Sequence, residues 1–189
     1  MEKWDLYTNK RILTDKTMLR GEKVPIGYYR IVVHVCIFNN NDEMLIQQRQ
    51  PFKKGWSNMW DISVGGSAIS GETSSDSAQR EIMEELGLKV NLSDVAPNIT
   101  IGFDGGFDDI FLITMDIDET MLSLQKEEVQ AVKWADKTKI LEMINDKTFI
   151  PYHKSMIELL FFLKDHKETR TSKDFTGKEE YNALQLPNN

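Results

Sequence analysis

An α+β fold, with a mixed β-sheet held between helices as an α/β/α sandwich, is what this sequence predicts, on three observations. Short runs with apolar residues at alternate positions recur along the chain, the mark of strands with a buried face. Other segments repeat their apolar residues every three or four positions, the mark of helices with one buried stripe. The two kinds are interleaved, an order that suits a sheet covered by helices on both sides. At 189 residues, 40% hydrophobic and 28% charged, the chain is long enough for one domain with a sizeable core.

Residues 1–27 read as an N-terminal extension packed on the domain, with KWDLY and KTMLRGE as short strands and TNKRILTD turning between them. The domain itself is expected over residues 28–165. YYRIVVHVCIF is its clearest strand, with Tyr29, Ile31, Val33, Val35 and Ile37 on one face and Arg30, Val32, His34, Cys36 and Phe38 on the other. NNND turns this strand into a second, EMLIQQRQ, and PFKKGWSNMW is a loop before DISVGG. A helix follows. Thr73 and Asp76 form a capping-box pattern, Ala78, Ile82 and Leu86 make the buried stripe, and Gly87 suits the left-handed residue that ends a helix. NITIGF and DDIFLITMDI pair around the turn DGG. EEVQAVKWAD is a strand that ends near a helix cap at Asp136, before the helix KTKILEMIN, and YHKSMIELLFFLKD is a last amphipathic helix. Residues 166–189 form a charged C-terminal tail, expected to be mobile at its end.

The first helix carries an oddity. At about 100° per residue, its apolar stripe spans roughly 60° to 140° from Glu81, while Glu81, Glu84 and Glu85 span roughly 300° to 40°. Three like charges thus share one face that borders the core, near a C-terminus where acids oppose the helix dipole. Hard oxygen donors carrying several negative charges bind Mg²⁺ or Mn²⁺, and such an ion neutralises a diphosphate and activates water. A cation among the three glutamates would turn their repulsion into attraction.

The stretch reads Gly66, five residues, Glu72, seven residues, Arg80-Glu81-Ile82, one residue, Glu84-Glu85, one residue, Gly87-Leu88. This spacing resembles the signature of the Nudix hydrolases at every constrained position. The resemblance implies a Nudix fold and water attack on a phosphorus of a nucleoside diphosphate linked to another moiety X, or of a nucleoside triphosphate. It implies that Glu81, Glu84 and Glu85 bind metal with the Gly65 carbonyl. Glu72 and Arg80 look like the pair that ties the loop to the helix, with Glu72 close to the metals. In many relatives an acid six or seven residues before a strand tryptophan binds metal or serves as base; Glu127 and Glu128 precede Trp134 at those distances, and Glu128 is preferred. Arg49 and Lys53 flank the loop after the second strand, where cations hold phosphate oxygens. Trp56 and Trp60 are expected to pack in the core rather than stack on a base, and His34 is read as structural, because nothing near it in sequence completes a site.

The tract from Tyr28 to Gly66 resembles the isopentenyl diphosphate isomerase branch of this superfamily more than the compact MutT-like enzymes. That isomerase's catalytic Cys falls on Gly65 and two of its metal-binding His residues on Arg30 and Ser67, so the isomerase chemistry lacks its groups here. The isomerase remains the alternative from a different class, and a nucleotide-binding module without catalysis is a third reading. Net charge is −7 with no basic run for duplex nucleic acid. No 18-residue apolar segment is present, and the first residues lack the apolar core of a signal peptide. The single Cys36 excludes an internal disulfide and fits a reducing cytoplasm. A small-molecule substrate is the expected partner, with no membrane and with a homodimer open.

Overall fold

The computed structural model describes residues 2–166; the expectation for the C-terminal tail lies outside the described residues. A two-stranded hairpin, β1 (Lys3–Tyr7) and β2 (Leu13–Leu19), precedes a mixed seven-stranded sheet. The sheet contains β3 (Arg30–Phe38), β4 (Glu43–Arg49), β5 (Trp60–Asp61), β6 (Val64–Ser67), β7 (Ile99–Phe103), β8 (Gly106–Thr114) and β9 (Val129–Asp136). The helices are α1 (Ser74–Leu86), α2 (Lys137–Asn145) and α3 (Lys154–Leu163). β3 runs parallel to β8 and antiparallel to β6, while β4 pairs antiparallel with β9 and β5.

The alternation along β3 divides the core as expected. Ile31, Val33, Val35 and Ile37 pack with Ala78, Ile82 and Leu86 of α1 on one side of the sheet. Cys36 and Phe38 pack with Ile140 and Met143 of α2 and Ile157, Leu160 and Phe161 of α3 on the other. Thr73 and Asp76 make the capping box, and Gly87 closes α1 at φ 69° with its N–H on the Met83 carbonyl. Among the described residues, no helix is long and apolar enough to cross a membrane.

Three local expectations change. β2 begins at Leu13 and ends at Leu19, because the turn contracts to Thr8–Ile12: Thr8 N–H bonds the Ile12 carbonyl at 2.9 Å and Arg11 adopts φ 59°. Arg20 is thereby left just past the strand. β9 begins at Val129, so Glu127 and Glu128 lie before the strand, and the pairing of β9 with β4 is irregular opposite Gln48 and Arg49. Trp56 is not in the core: it stands 53% exposed at φ 51° in the loop after β4, while Trp60 is half-buried beneath Lys133 Nζ, 4.1 Å from the ring centroid. Trp56 and Asn58 both adopt left-handed backbone conformations in that loop.

Candidate active site

β6 and α1 approach so closely that a Cβ on Gly66 would collide with the Glu81 carboxylate. The absence of a side chain there lets the glutamate face lie against the strand. At the other end of the helix the carbonyls of Glu85 and Leu86 accept backbone N–H bonds from Gln125 (3.0 Å) and Ser123 (3.1 Å). These bonds satisfy orphan carbonyls at a helix terminus that has no basic residue in its last turn. They also mount the segment before β9 on α1. Its last residue, Glu128, is held from the far side by Gln50 N–H on its carbonyl at 3.0 Å.

A cleft of about 130 Å³ opens between these parts, lined by Gly65, Arg80, Glu81, Glu84, Glu85 and Glu128, together with Glu2, Arg20 and Gln125. Arg80 organises its acidic wall. Nε and Nη2 grip Glu72 at 2.7 and 3.1 Å, Nη1 reaches Glu81 (2.9 Å) and Glu84 (3.1 Å), and Nη2 also donates to the Ser67 carbonyl at 3.1 Å. Burial opposes the Arg80 charge, but hydrogen bonds and attraction from these carboxylates outweigh it and raise its pKa. Burial would likewise raise Glu72, yet hydrogen bonds from Arg80, the Ser77 hydroxyl and the Ile69 N–H hold it below the ordinary carboxylate range. Glu72 is therefore the anionic pin of the loop, facing Arg80.

The helix glutamates differ from one another. Glu84 is the most open of the three, whereas Glu85 is only 4% exposed and accepts one hydrogen bond, from Gln47 Nε2 at 3.0 Å. Burial first, and the charge of Glu81 second, push the Glu85 carboxyl well above its usual range. Burial also raises Glu81 against the pull of Arg80. A buried acid beside another acid costs stability unless a positive charge joins them. Among the described residues no three His, Cys, Asp or Glu side chains converge as a ready cation cage, and the Arg80 guanidinium lies between Glu81 and Glu84.

Of the residues expected from sequence, Gly65, Arg80, Glu81, Glu84, Glu85 and Glu128 line the cleft, and Glu72 supports it through Arg80. Lys53 joins through Glu128, its Nζ 2.6 Å from the carboxylate. Glu127 lines the adjoining recess with Phe52, Lys53, Lys54 and Gly55 but not the cleft, whereas Glu128 borders both. Arg49 is not brought to the cleft: its Nε donates to the Gly55 carbonyl (3.2 Å) and its Nη1 lies 3.9 Å from Asp61. His34 has partners that sequence proximity does not reveal. Its Nδ1 lies 2.7 Å from Asp108 on β8, and its ring covers Gly65, where an added Cβ would come within 2.7 Å of Cδ2. Gln125, Glu2 and Arg20 carried no motif, and only the fold places them.

Comparison with known proteins decides the family. Residues 28–160, well over half the chain, match the NUDIX domain. The chain belongs to the Nudix family. An uncharacterised Nudix hydrolase of Listeria innocua is 46% identical over 165 residues, 87% of this chain and 96% of that one. A crystal structure from Deinococcus radiodurans superposes with a TM-score of 0.66 at 22% identity, covering 84% of this chain and 97% of its own, which speaks for the fold alone. An isopentenyl-diphosphate Delta-isomerase of Corynebacterium diphtheriae is 25% identical over 143 residues, 71% of this chain and 75% of that one. This protein is thus a Nudix hydrolase with the fold of that family, and the isomerases are distant relatives.

Proposed function

We propose that this Nudix hydrolase cleaves a phosphoanhydride bond in a nucleoside diphosphate linked to another moiety, or in a nucleoside triphosphate, with Mg²⁺ or Mn²⁺. The observation that carries the reading is the buried Glu85 carboxyl beside Glu81 on the α1 wall of a cleft that Glu84 and Glu128 also line. This donor set fits a hard divalent cation, because it offers carboxylate oxygens and the Gly65 carbonyl and gains from the added positive charge. Glu81, Glu84, Glu85 and the Gly65 carbonyl are the groups to hold it. A metal bound there supplies charge neutralisation at the phosphoanhydride oxygens and a more acidic water.

The chain's own residues do the rest. Glu72 keeps Arg80 in place, and Arg80 keeps Glu81 and Glu84 turned to the cleft. Glu128, on its turn between α1 and β4, takes the proton from the attacking water. Lys53 holds that carboxylate and presents a positive charge to the substrate's phosphates. Arg49 acts one step back, by fixing the Gly55 carbonyl of the loop that carries Lys53. The single cysteine supports a cytoplasmic setting for this chemistry.

The test is release of phosphate or nucleotide from a panel of nucleoside diphosphate derivatives and triphosphates, with and without Mg²⁺ or Mn²⁺. Metal-dependent hydrolysis of at least one compound is expected, with no interconversion of isopentenyl and dimethylallyl diphosphates. The melting temperature should rise with metal concentration, and Glu84→Gln with Glu85→Gln should blunt that rise. Isomerisation at an enzymatic rate would overturn the reading, and silence in both assays would leave a binding module.

A further inference from the structure

The N-terminal hairpin sets a cation over the acidic cleft. The pairing of Lys3 with Leu19 continues outward through the Arg20 N–H, which donates to the Glu2 carbonyl at 3.0 Å, so the two side chains stand opposite each other. Arg20 Nη1 lies 2.9 Å from both Glu2 oxygens. Both residues line the cleft with Gly65, Glu81, Glu84, Glu85 and Glu128, and Arg20 also lines the recess that holds Lys53 and Lys54.

The other arginine of the cleft is spent. Arg80 commits all five N–H donors to Glu72, Glu81, Glu84 and the Ser67 carbonyl. Arg20, in contrast, uses only Nη1, and its Nε and Nη2 make no hydrogen bond among the described residues. Its pair with Glu2 is solvent-exposed, and exposed pairs contribute little. Arg30 does not line the cleft but lies close enough to Arg20 for the two charges to act on each other. It lies over the Trp4 ring, 4.5 Å from the centroid, donates to the Ser67 hydroxyl at 2.8 Å, and has no ion-pair partner among the described residues. Burial and the charge of Arg20 both lower its pKa. A planar guanidinium with donors to spare, beside an unpaired cation and facing a carboxylate wall, suits a phosphate group bound between the two.

We propose that Arg20 is a substrate-phosphate ligand delivered by the hairpin, held by Glu2 in the free enzyme and released to a phosphoryl oxygen when substrate binds. This rests on the phosphoanhydride reading above and adds a binding residue outside the matched domain. The two members of the pair then act with opposite signs. Arg20→Ala should weaken binding of inorganic diphosphate, titrated calorimetrically in the presence of Mg²⁺, by about 10-fold. It should also raise KM for the best panel substrate more than it lowers kcat. Arg20→Lys should fall between parent and Ala, since an ammonium cannot make the fork. Glu2→Gln should tighten diphosphate binding by about 3-fold, because it removes the competing carboxylate.

A pair that only pins the hairpin predicts something else: equal losses of melting temperature in both variants, with no opposed change in affinity. Diphosphate affinity unaltered by Arg20→Ala, or weakened alike in Glu2→Gln, would overturn the proposal. So would a parent protein that does not bind inorganic diphosphate. Arg20-dependent diphosphate binding without hydrolysis of any compound would support this site and sink the phosphoanhydride reading. Hydrolysis with KM and affinity indifferent to Arg20 would do the reverse.

Discussion

Glu128 and Glu127 are adjacent in sequence, yet only Glu128 lines the cleft with the helix glutamates. If Glu128 is the base, Glu128→Gln keeps the shape and loses the charge, so kcat should fall by about 10²-fold or more with little change in KM. Glu127→Gln should stay near the parent, and circular dichroism melts should show neither variant unfolded. Nearly full activity in both variants would move the base to Glu84 or Glu72. A second residue with an environment of its own is Asp61, buried on β5 with the Tyr152 hydroxyl donating to it at 2.9 Å. Burial raises its pKa, and the charges of His34 and Arg49 and the bonds from Tyr152 and Ile62 N–H offset this only in part. An acid with a raised folded pKa contributes stability in full below its unfolded value of about 3.9, and that contribution is lost as pH rises through the folded value. Asp61→Asn keeps an acceptor for Tyr152 and has no charge to bury. The melting temperature of Asp61→Asn relative to the parent should therefore climb from acid to neutral pH; a difference independent of pH would contradict the assignment. At this scale the sequence was legible where spacing encodes chemistry, as in Glu72, Arg80, Glu81, Glu84 and Glu85. It was silent on His34, whose partner Asp108 lies 74 residues away, and on Arg20, whose position depends on where one turn contracts.

Between α1, β6 and the segment before β9 the working parts are joined by backbone contacts. α1 was readable from its caps and its four-residue repeat, and β3 from its alternation, because both patterns are imposed by burial within one element. β5, β6 and the irregularity beside Gln130 were not, since short pairings and bulges are set by neighbours distant in sequence. The contact of β6 with α1 yields a sharp expectation. Gly66→Ala places a methyl group where the Glu81 carboxylate lies, and relief requires Glu81 to swing off Arg80 or the helix to shift. Activity should drop by about 10-fold or more, in keeping with the sensitivity of catalysis to displacements near 1 Å. The metal-induced rise in melting temperature should shrink in parallel. Parent-like activity in a folded Gly66→Ala protein would show that Glu81 is not held where its chemistry needs it.

Across the whole molecule the hairpin is tied to the rest of the fold along its length, with Tyr7 and Tyr29 exchanging backbone N–H bonds at 2.7 and 2.9 Å midway. Trp4, Leu6 and Met18 form a small core with Val24, Tyr28 and Ile69, while Asp5 accepts bonds from Ser70 Oγ (2.6 Å) and Gly71 N–H (2.8 Å). At the opposite end, Arg11 in the hairpin turn pairs through Nη1 and Nη2 with Asp109, a β8 carboxylate that is 0% exposed and also accepts from Thr100 Oγ1 at 2.6 Å. A lone two-stranded hairpin is marginal in water, but one clamped to a buried carboxylate opens only at the cost of leaving that charge unpaired, on the order of 3 kcal/mol. The consequence belongs to dynamics. Amide hydrogens of β1 and β2 should exchange with deuterium on the timescale of β3 and β8, as one cooperative unit, instead of exchanging ahead of the sheet. Arg11→Ala should split that unit, speeding exchange in the hairpin while β3 and β8 stay protected, and the cleft wall it carries would then fray before the fold does.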